Sequence, residues 1–285
     1  MMKVITIGTA ALAALLMVQS VNADTLAADD FGDGDYTAGT AWNVAGSSGG
    51  TWAVDGSNQL TLTNPVRLGT YEYQPVPHYI ETGFTETSLT DFSLTAYVGF
   101  DDSHGGGAHS GNMFGFGVLD AAGTSGYHVD FSSDSAVGGW VGMNLRRVDN
   151  GVWSETSDLD GRLAAIANGF ERTYNADGSI ATQATPSPGY LPNDNRFNVI
   201  FSRSGDDLTF TINGANWAAH TQTLTVHDPH AGGALTEVGS LRAYGGDPGY
   251  GYLFDDISLT GTPVPEPMTM ALLGLGGLLG LRRRK

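Results

Sequence analysis

The side chains that could do chemistry are unevenly spread along this 285-residue chain. Retaining hydrolysis of a glycosidic bond needs two carboxylates about 5 Å apart. The nearest grouping is Glu155-Thr-Ser-Asp158-Leu-Asp160, whose spacing is wrong for a shared strand face and which sits where a strand gives way to a loop. His104 and His109 flank Gly105-Gly-Gly107. A His-x4-His spacing in a glycine loop is a weak zinc signal, and a solvated loop is the plainer reading. No Gly-x-Ser-x-Gly elbow marks a serine nucleophile. Stacking on the C–H face of a sugar ring asks for a flat aromatic with polar groups beside it. Trp140 in Gly138-Gly-Trp-Val141 and Trp153 after Asn150-Gly151 lie at strand or loop ends, and Tyr71 and Tyr73 share one strand face. The alternative for each is packing, which is the role read for Trp42 and Trp52.

Short strands must position these groups. Alternating runs closed by Gly, Asn or Asp recur at 59–63, 92–100, 113–119, 126–131, 141–148, 196–202, 207–212, 221–226 and 252–259. Period two with β-branched and aromatic residues predicts half-buried strands, and many of them at short spacing predict an all-β sandwich or barrel. Asp149-Asn-Gly151 and Asn213-Gly214 read as tight hairpin turns. The rhythm breaks at about 155–195, an irregular insertion with a short helical pattern near 163–167 and the Pro-rich Thr185-Pro-Ser-Pro-Gly189. No repeat of 20 to 50 residues is present, so 24–261 reads as one domain.

Composition narrows the function classes. Of 13 cations, Lys3 and the last four residues lie at the two ends, leaving eight arginines in the body against 29 acids, a formal charge of −21. Such a surface repels nucleic acid and anionic lipid headgroups alike, so no nucleic-acid partner is expected. Cysteine is absent, which leaves the core, or a metal, to hold the fold.

Both ends speak of export. Lys3 precedes an apolar run over 4–18, and Val21-Asn-Ala23 offers small residues for cleavage, so 1–23 reads as a signal peptide. At the other end, 268–281 is apolar and is followed by Arg282-Arg283-Arg284-Lys285. At 1.5 Å per residue the run spans about 21 Å, short of a ~30 Å hydrocarbon core. Cations retained on the cytoplasmic side would stop translocation there, making a short membrane helix. With Val264-Pro265-Glu266-Pro267 ahead of it, the tail over 262–285 resembles the PEP-CTERM sorting signal, also labelled an ice-binding protein C-terminal domain. The resemblance implies an exosortase-type processing enzyme acting near Pro265 to Pro267, a transient stay in the inner membrane, and release to the cell surface or extracellular matrix of a Gram-negative bacterium.

The body resembles the concanavalin A-like (laminin-G-like) antiparallel jelly-roll sandwich. The matching pieces are Asp29-Asp-Phe31 with Gly32-Asp-Gly34, Trp42 and Trp52 at the opening, then Phe114-Gly-Phe-Gly117, Gly126-Tyr-His-Val-Asp-Phe131 and Leu145-Arg-Arg-Val-Asp-Asn-Gly151, and Phe254-Asp-Asp-Ile-Ser-Leu-Thr260 at the close. Glucanases of that superfamily carry Glu-x-Asp-x-Glu, which is missing here. Lyases on the fold take Arg, His and Tyr from adjacent strands; Arg67, Tyr71, Tyr73 and His78 supply the types without matching a lyase motif. The resemblance also implies one structural Ca²⁺ joining first and last strands, with Asp30 and Asp255 as its ligands; the alternative is two solvated edge aspartates.

An ice-binding face would need Thr-x-Thr in register on a flat sheet. Residues 61–63, 209–211 and 221–225 carry such pairs at irregular intervals, which ordinary strand composition explains. The expectation is therefore an exported, non-catalytic binding module for extracellular polysaccharide. A lyase or hydrolase with a non-standard site, or a purely structural matrix protein, stands as the alternative.

Overall fold

The structure is a computed structural model. It describes residues 23–45, 50–63, 79–101, 112–134, 140–149, 162–167, 170–184, 196–214, 222–245 and 251–264. The signal peptide up to residue 22, the membrane segment 268–281 and the basic cluster 282–285 lie outside the described residues, as do Arg67, His78, His104, His109 and Glu155 to Asp160. Among the described residues no helix is long and apolar enough to cross a membrane.

The elements in chain order are β1 (Asp24–Asp29), β2 (Asn43–Ala45), β3 (Thr51–Val54), β4 (Leu60–Thr63), β5 (Tyr79–Asp101), β6 (Asn112–Leu119), β7 (Gly126–Asp134) and β8 (Trp140–Val148). They continue with β9 (Arg162–Ala167), β10 (Phe170–Tyr174), β11 (Ile180–Gln183), β12 (Arg196–Ser204), β13 (Asp207–Gly214), β14 (Gln222–His227), β15 (Glu237–Gly245) and β16 (Gly251–Pro263). Every pairing is antiparallel. The result is an all-β sandwich of two sheets joined through the 23-residue β5. Sheet A runs β16-β5-β12-β13-β14, with β1 and the β3–β4 pair on the far side of β16. Sheet B runs β2-β5-β15-β6-β7-β8-β9-β10-β11, using residues 79–88 of β5 where sheet A uses 89–101.

Alternation explains sheet A. Phe92, Leu94, Ala96 and Val98 of β5 are buried, while Asp91, Ser93, Thr95 and Tyr97 between them are not. Val199 and Phe201 on β12, Leu208, Phe210 and Ile212 on β13, and Leu224 and Val226 on β14 repeat the pattern. These side chains meet sheet B in one core. Phe201 is edge-on to Tyr127 of β7 across the two sheets at 6.1 Å, and to Phe92 at 5.2 Å. Each fully buried ring of this size contributes roughly 1.5–3 kcal/mol. Trp42 and Trp52 belong to this core, as read.

Two local expectations are corrected. The helical pattern at 163–167 is strand β9, because Leu163, Ala164 and Ala165 are buried between β8 and β10. The stretch read as irregular thus carries three strands, β9 to β11, in its described part. Asn213-Gly214 is the last paired step of β13; the tight turn is Gly205-Asp206, between the Ser204–Asp207 pair, with Gly205 at φ 59°. A left-handed first residue suits glycine and a two-residue hairpin.

Candidate functional site

The outward face of sheet B holds charged groups that are almost sealed from solvent. On β7 the inward residues are Tyr127, Val129 and Phe131, so His128 and Asp130 point to the opposite face. Asp130 pairs with Asn144 of β8 on one side and Gly115 of β6 on the other, and Gly115 pairs with Tyr244 of β15. A Cβ on Gly115 would lie 2.8 Å from the Tyr244 hydroxyl, and one on Gly117 would lie 2.8 Å from Nδ1 of His128. The β6 glycines therefore form the trough across which the neighbouring strands' side chains meet. Tyr244 donates its hydroxyl over β6 to Asp130, whose other oxygen accepts from Nε of Arg146 at 2.6 Å. Asp130 is 0% and Arg146 2% exposed.

Burial sets the protonation of this group. It pushes the Tyr244 phenol well up, and the Asp130 charge adds to the effect. It pushes the His128 imidazole well down, with Arg242 and Arg146 contributing, so His128 is neutral. His128 lies 5.7 Å from the Tyr244 ring. The network opens toward solvent at Arg242 of β15. Its guanidinium sits 4.0 Å over the Tyr79 ring, with Nη2 3.0 Å from Oε2 of Glu81. Tyr79 and Glu81 are partly exposed. Register places Arg146, Arg172 and Arg242 all on this face. Those are three of the body's eight arginines, and arginine is the side chain suited to planar, bidentate recognition.

A second buried network pins the β14–β15 connection. Oδ2 of Asp228 accepts from the Tyr127 hydroxyl at 2.7 Å and from Arg147 at 2.6 Å, and Oδ1 faces Nδ1 of His230 at 3.0 Å. The Tyr127 hydroxyl accepts from the backbone N–H of Leu235 at 2.7 Å, and Arg147 also donates to Gly233 O at 2.9 Å. Tyr127 and Arg147 thus bond the loop from sheet B, with Nε of Arg147 turned instead to Asp149 at 2.9 Å, and the network staples 228–235 to the sheet.

Of the residues read from sequence, Trp140 opens β8 opposite Asp134, while Tyr71, Tyr73 and Trp153 lie outside the described residues. Val264 follows the last strand directly, half-exposed, its N–H donating to Ser88 O at 2.7 Å; Pro265, Glu266 and Pro267 lie outside the described residues. Asp30 and Asp255 fall in one electrostatic neighbourhood. Burial raises the Asp255 pKa, hydrogen bonds from Gln59 and the Asp256 N–H oppose it, and repulsion from Asp256 and Asp30 adds to it. Both Asp255 oxygens accept such bonds, and Oδ1 of Asp30 accepts from Gly32 N–H at 3.0 Å. Among the described residues no three His, Asp or Glu side chains converge as metal ligands. Calcium takes six to eight oxygens. The pair meets the electrostatic need of a cation and not, by itself, its coordination number.

Sequence reasoning missed His128, Asp130, Arg146, Tyr244 and the Arg242–Glu81–Tyr79 group. The available signal was polar His128 and Asp130 alternating with Tyr127, Val129 and Phe131 beside the glycine-spaced Phe114-Gly-Phe-Gly117.

No curated protein matches the chain in sequence. Among solved structures it is similar to the CBM2 module of the evolved Dit of Lactobacillus casei BL23 phage J-1, at 12% identity and TM-score 0.52, over 86% of this chain and 98% of that one. That similarity shows a shared fold. Weaker likenesses are to peanut lectin, at 11% identity and TM-score 0.46 over 86% of this chain and 100% of that one, and to the Ca²⁺/Man3GlcNAc-bound exoplasmic/lumenal domain of VIP36, at 11% identity and TM-score 0.46 over 79% and 88%. Beyond the sandwich, residues 263–285 match the PEP-CTERM protein-sorting motif.

Proposed function

We propose that the chain is an exported, exosortase-processed surface or matrix protein whose sandwich binds extracellular polysaccharide without cleaving it. The sorting half is supported by the PEP-CTERM match over 263–285. The binding half is supported above all by the outward face of sheet B, where Arg242, held by Glu81 and stacked on Tyr79, opens a buried polar network toward solvent. An aromatic ring with fixed polar neighbours is what a sugar ring requires, and preorganised groups lose little freedom on binding. The shared fold with a carbohydrate-binding module agrees with this reading. A glycan array on the full chain tests it: retention of unmodified glycan, weakened at least about tenfold by Arg242→Ala, is expected. A blank array, or an unaffected variant, contradicts it.

One observation favours a lyase instead. Arg146, His128 and Tyr244 are the residue types such enzymes take from neighbouring strands. They are 2%, 1% and 2% exposed, so a sugar cannot touch them as they stand. Accumulating unsaturated product on the same array would establish the enzyme. A structural Ca²⁺ between Asp30 and Asp255 belongs to the proposal as well, with backbone carbonyls and water completing its shell. Chelation should then lower the melting temperature, and Asp255→Ala should remove that sensitivity. For the tail, replacing Pro265-Glu266-Pro267 by alanines should trap the protein in the inner membrane; unchanged release contradicts processing there.

A further inference from the structure

The outward face of sheet A carries order that the sequence scatters. Register aligns Thr25, Thr260, Ser93, Ser202, Thr209 and Thr225 in one row across six strands, β1, β16, β5, β12, β13 and β14. Every member bears a hydroxyl and none is buried. The neighbouring row, two residues along each strand and three along β1 where a bulge intervenes, departs from Ser or Thr only at Ile200 and Ala28. Hydroxyls of Thr209 and Thr225, and of Thr211 and Thr223, meet at 2.9 Å. Two of the Thr-x-Thr pairs that look irregular along the chain, 209–211 and 223–225, are therefore in register in space, while 61–63 lies on β4 outside these rows.

Strand propensity alone does not account for this. The rows to either side carry Asp91, Asp207 and His227, or Asp255 with Asn198, so charge is kept out of the two middle rows only. Edge strands ordinarily protect themselves with charge, yet the exposed Thr223 and Thr225 of β14, the last strand of sheet A among the described residues, are neutral. Beside the rows, Tyr97 offers a partly exposed ring next to Asn198, and Ile200 is 39% exposed between Thr95 and Thr211. At about 4.8 Å between strands the rows extend roughly 24 Å.

We infer that this face is a second binding surface, for a neutral, hydroxyl-rich polysaccharide chain lying across the strands. It rests on the saccharide-binding reading above and adds a face to it. Neutrality in a body of charge −21 fits a ligand that offers hydroxyls and C–H faces and no ions. Strands rotate by roughly 20–25° each, so a rigid ice plane loses register within a few strands while a polymer can follow the twist. A second copy of the chain would want an apolar centre, which Ile200 alone does not supply.

The test uses the full chain in detergent, retained on microcrystalline cellulose, with Ile200→Lys, Thr223→Lys and Arg242→Ala compared and melting curves checking that each folds. Retention that falls at least about tenfold (1.4 kcal/mol) in both lysine variants and persists in Arg242→Ala supports the second face. Absent retention, or retention indifferent to both lysines, overturns it while leaving the Arg242 test of the first reading intact. Ice shaping abolished by the lysine variants without cellulose retention, or a dimer in sedimentation that they dissociate, also overturns it in favour of ice or of a second copy.

Discussion

The two outward faces of this sandwich solve opposite problems with the same backbone. Sheet B sinks its charges: Asp130, Arg146 and Tyr244 are closed in and bonded to one another across a glycine trough. Sheet A spreads neutral hydroxyls over open strands, where each competes with water and gains little from a neighbour. The lesson is that polar residues on strands mean different things according to burial. Sealed, they must be mutually satisfied and so fix one arrangement; open, they are available to something else.

That contrast is easiest to break at Asp130. Asp130→Ala leaves Arg146 charged and buried, and should cost about 3–5 kcal/mol in denaturant unfolding. Replacing Asp130 and Arg146 together by apolar residues should cost much less, because the desolvation penalty goes with the pair. A cost for the double change equal to that of the single would mean the network holds by packing alone.

Gly115→Ala probes the trough itself. Its Cβ would lie 2.2 Å from the Val129 carbonyl and 2.8 Å from the Tyr244 hydroxyl. Overpacking of this kind costs about 1–3 kcal/mol, read as a lowered melting temperature. An unchanged melt would show that sheet B has slack there.

Two histidines, one on each face, sharpen the comparison by pH. His128 is held neutral by burial, so unfolding takes up a proton below the ordinary imidazole pKa near 6.5. Stability should therefore fall as pH drops through that range, by up to about 1.4 kcal/mol per pH unit, and His128→Asn should flatten the slope. His227 is exposed, and its hydrogen bond to Asp207 raises its pKa. Its contribution has the opposite sign, present below pH 6.5 and lost as pH rises through the raised value; Asp207→Asn should return its NMR titration toward the ordinary range. The smallest effect belongs to the hydroxyl rows, where Thr209→Val with Thr225→Val should stay within about 0.5 kcal/mol of the parent.

The strands of sheet A were legible because they alternate. Residues 92–100, 196–202 and 207–212 show their buried face directly in the sequence, and β5, β12 and β13 contain them. β15 was not legible, since Val238, Ser240, Leu241, Ala243 and Tyr244 are buried whichever face they take, and no period-two contrast survives. β9 failed for the same reason: Leu163, Ala164 and Ala165 are all buried. Neither outward face could be read along the chain. Tyr244 reaches Asp130 across 114 residues, and the six-hydroxyl row draws on five separated segments; register that long-ranged is a property of pairing, not of spacing.

The most direct test of the central claim is amide hydrogen exchange on the full chain with and without a polysaccharide that it retains. The account predicts slowed exchange at Tyr79 to Thr82 and around Arg242, with the polysaccharide recovered intact. Retention by no polysaccharide at all, or protection that leaves both outward faces unchanged, would contradict it.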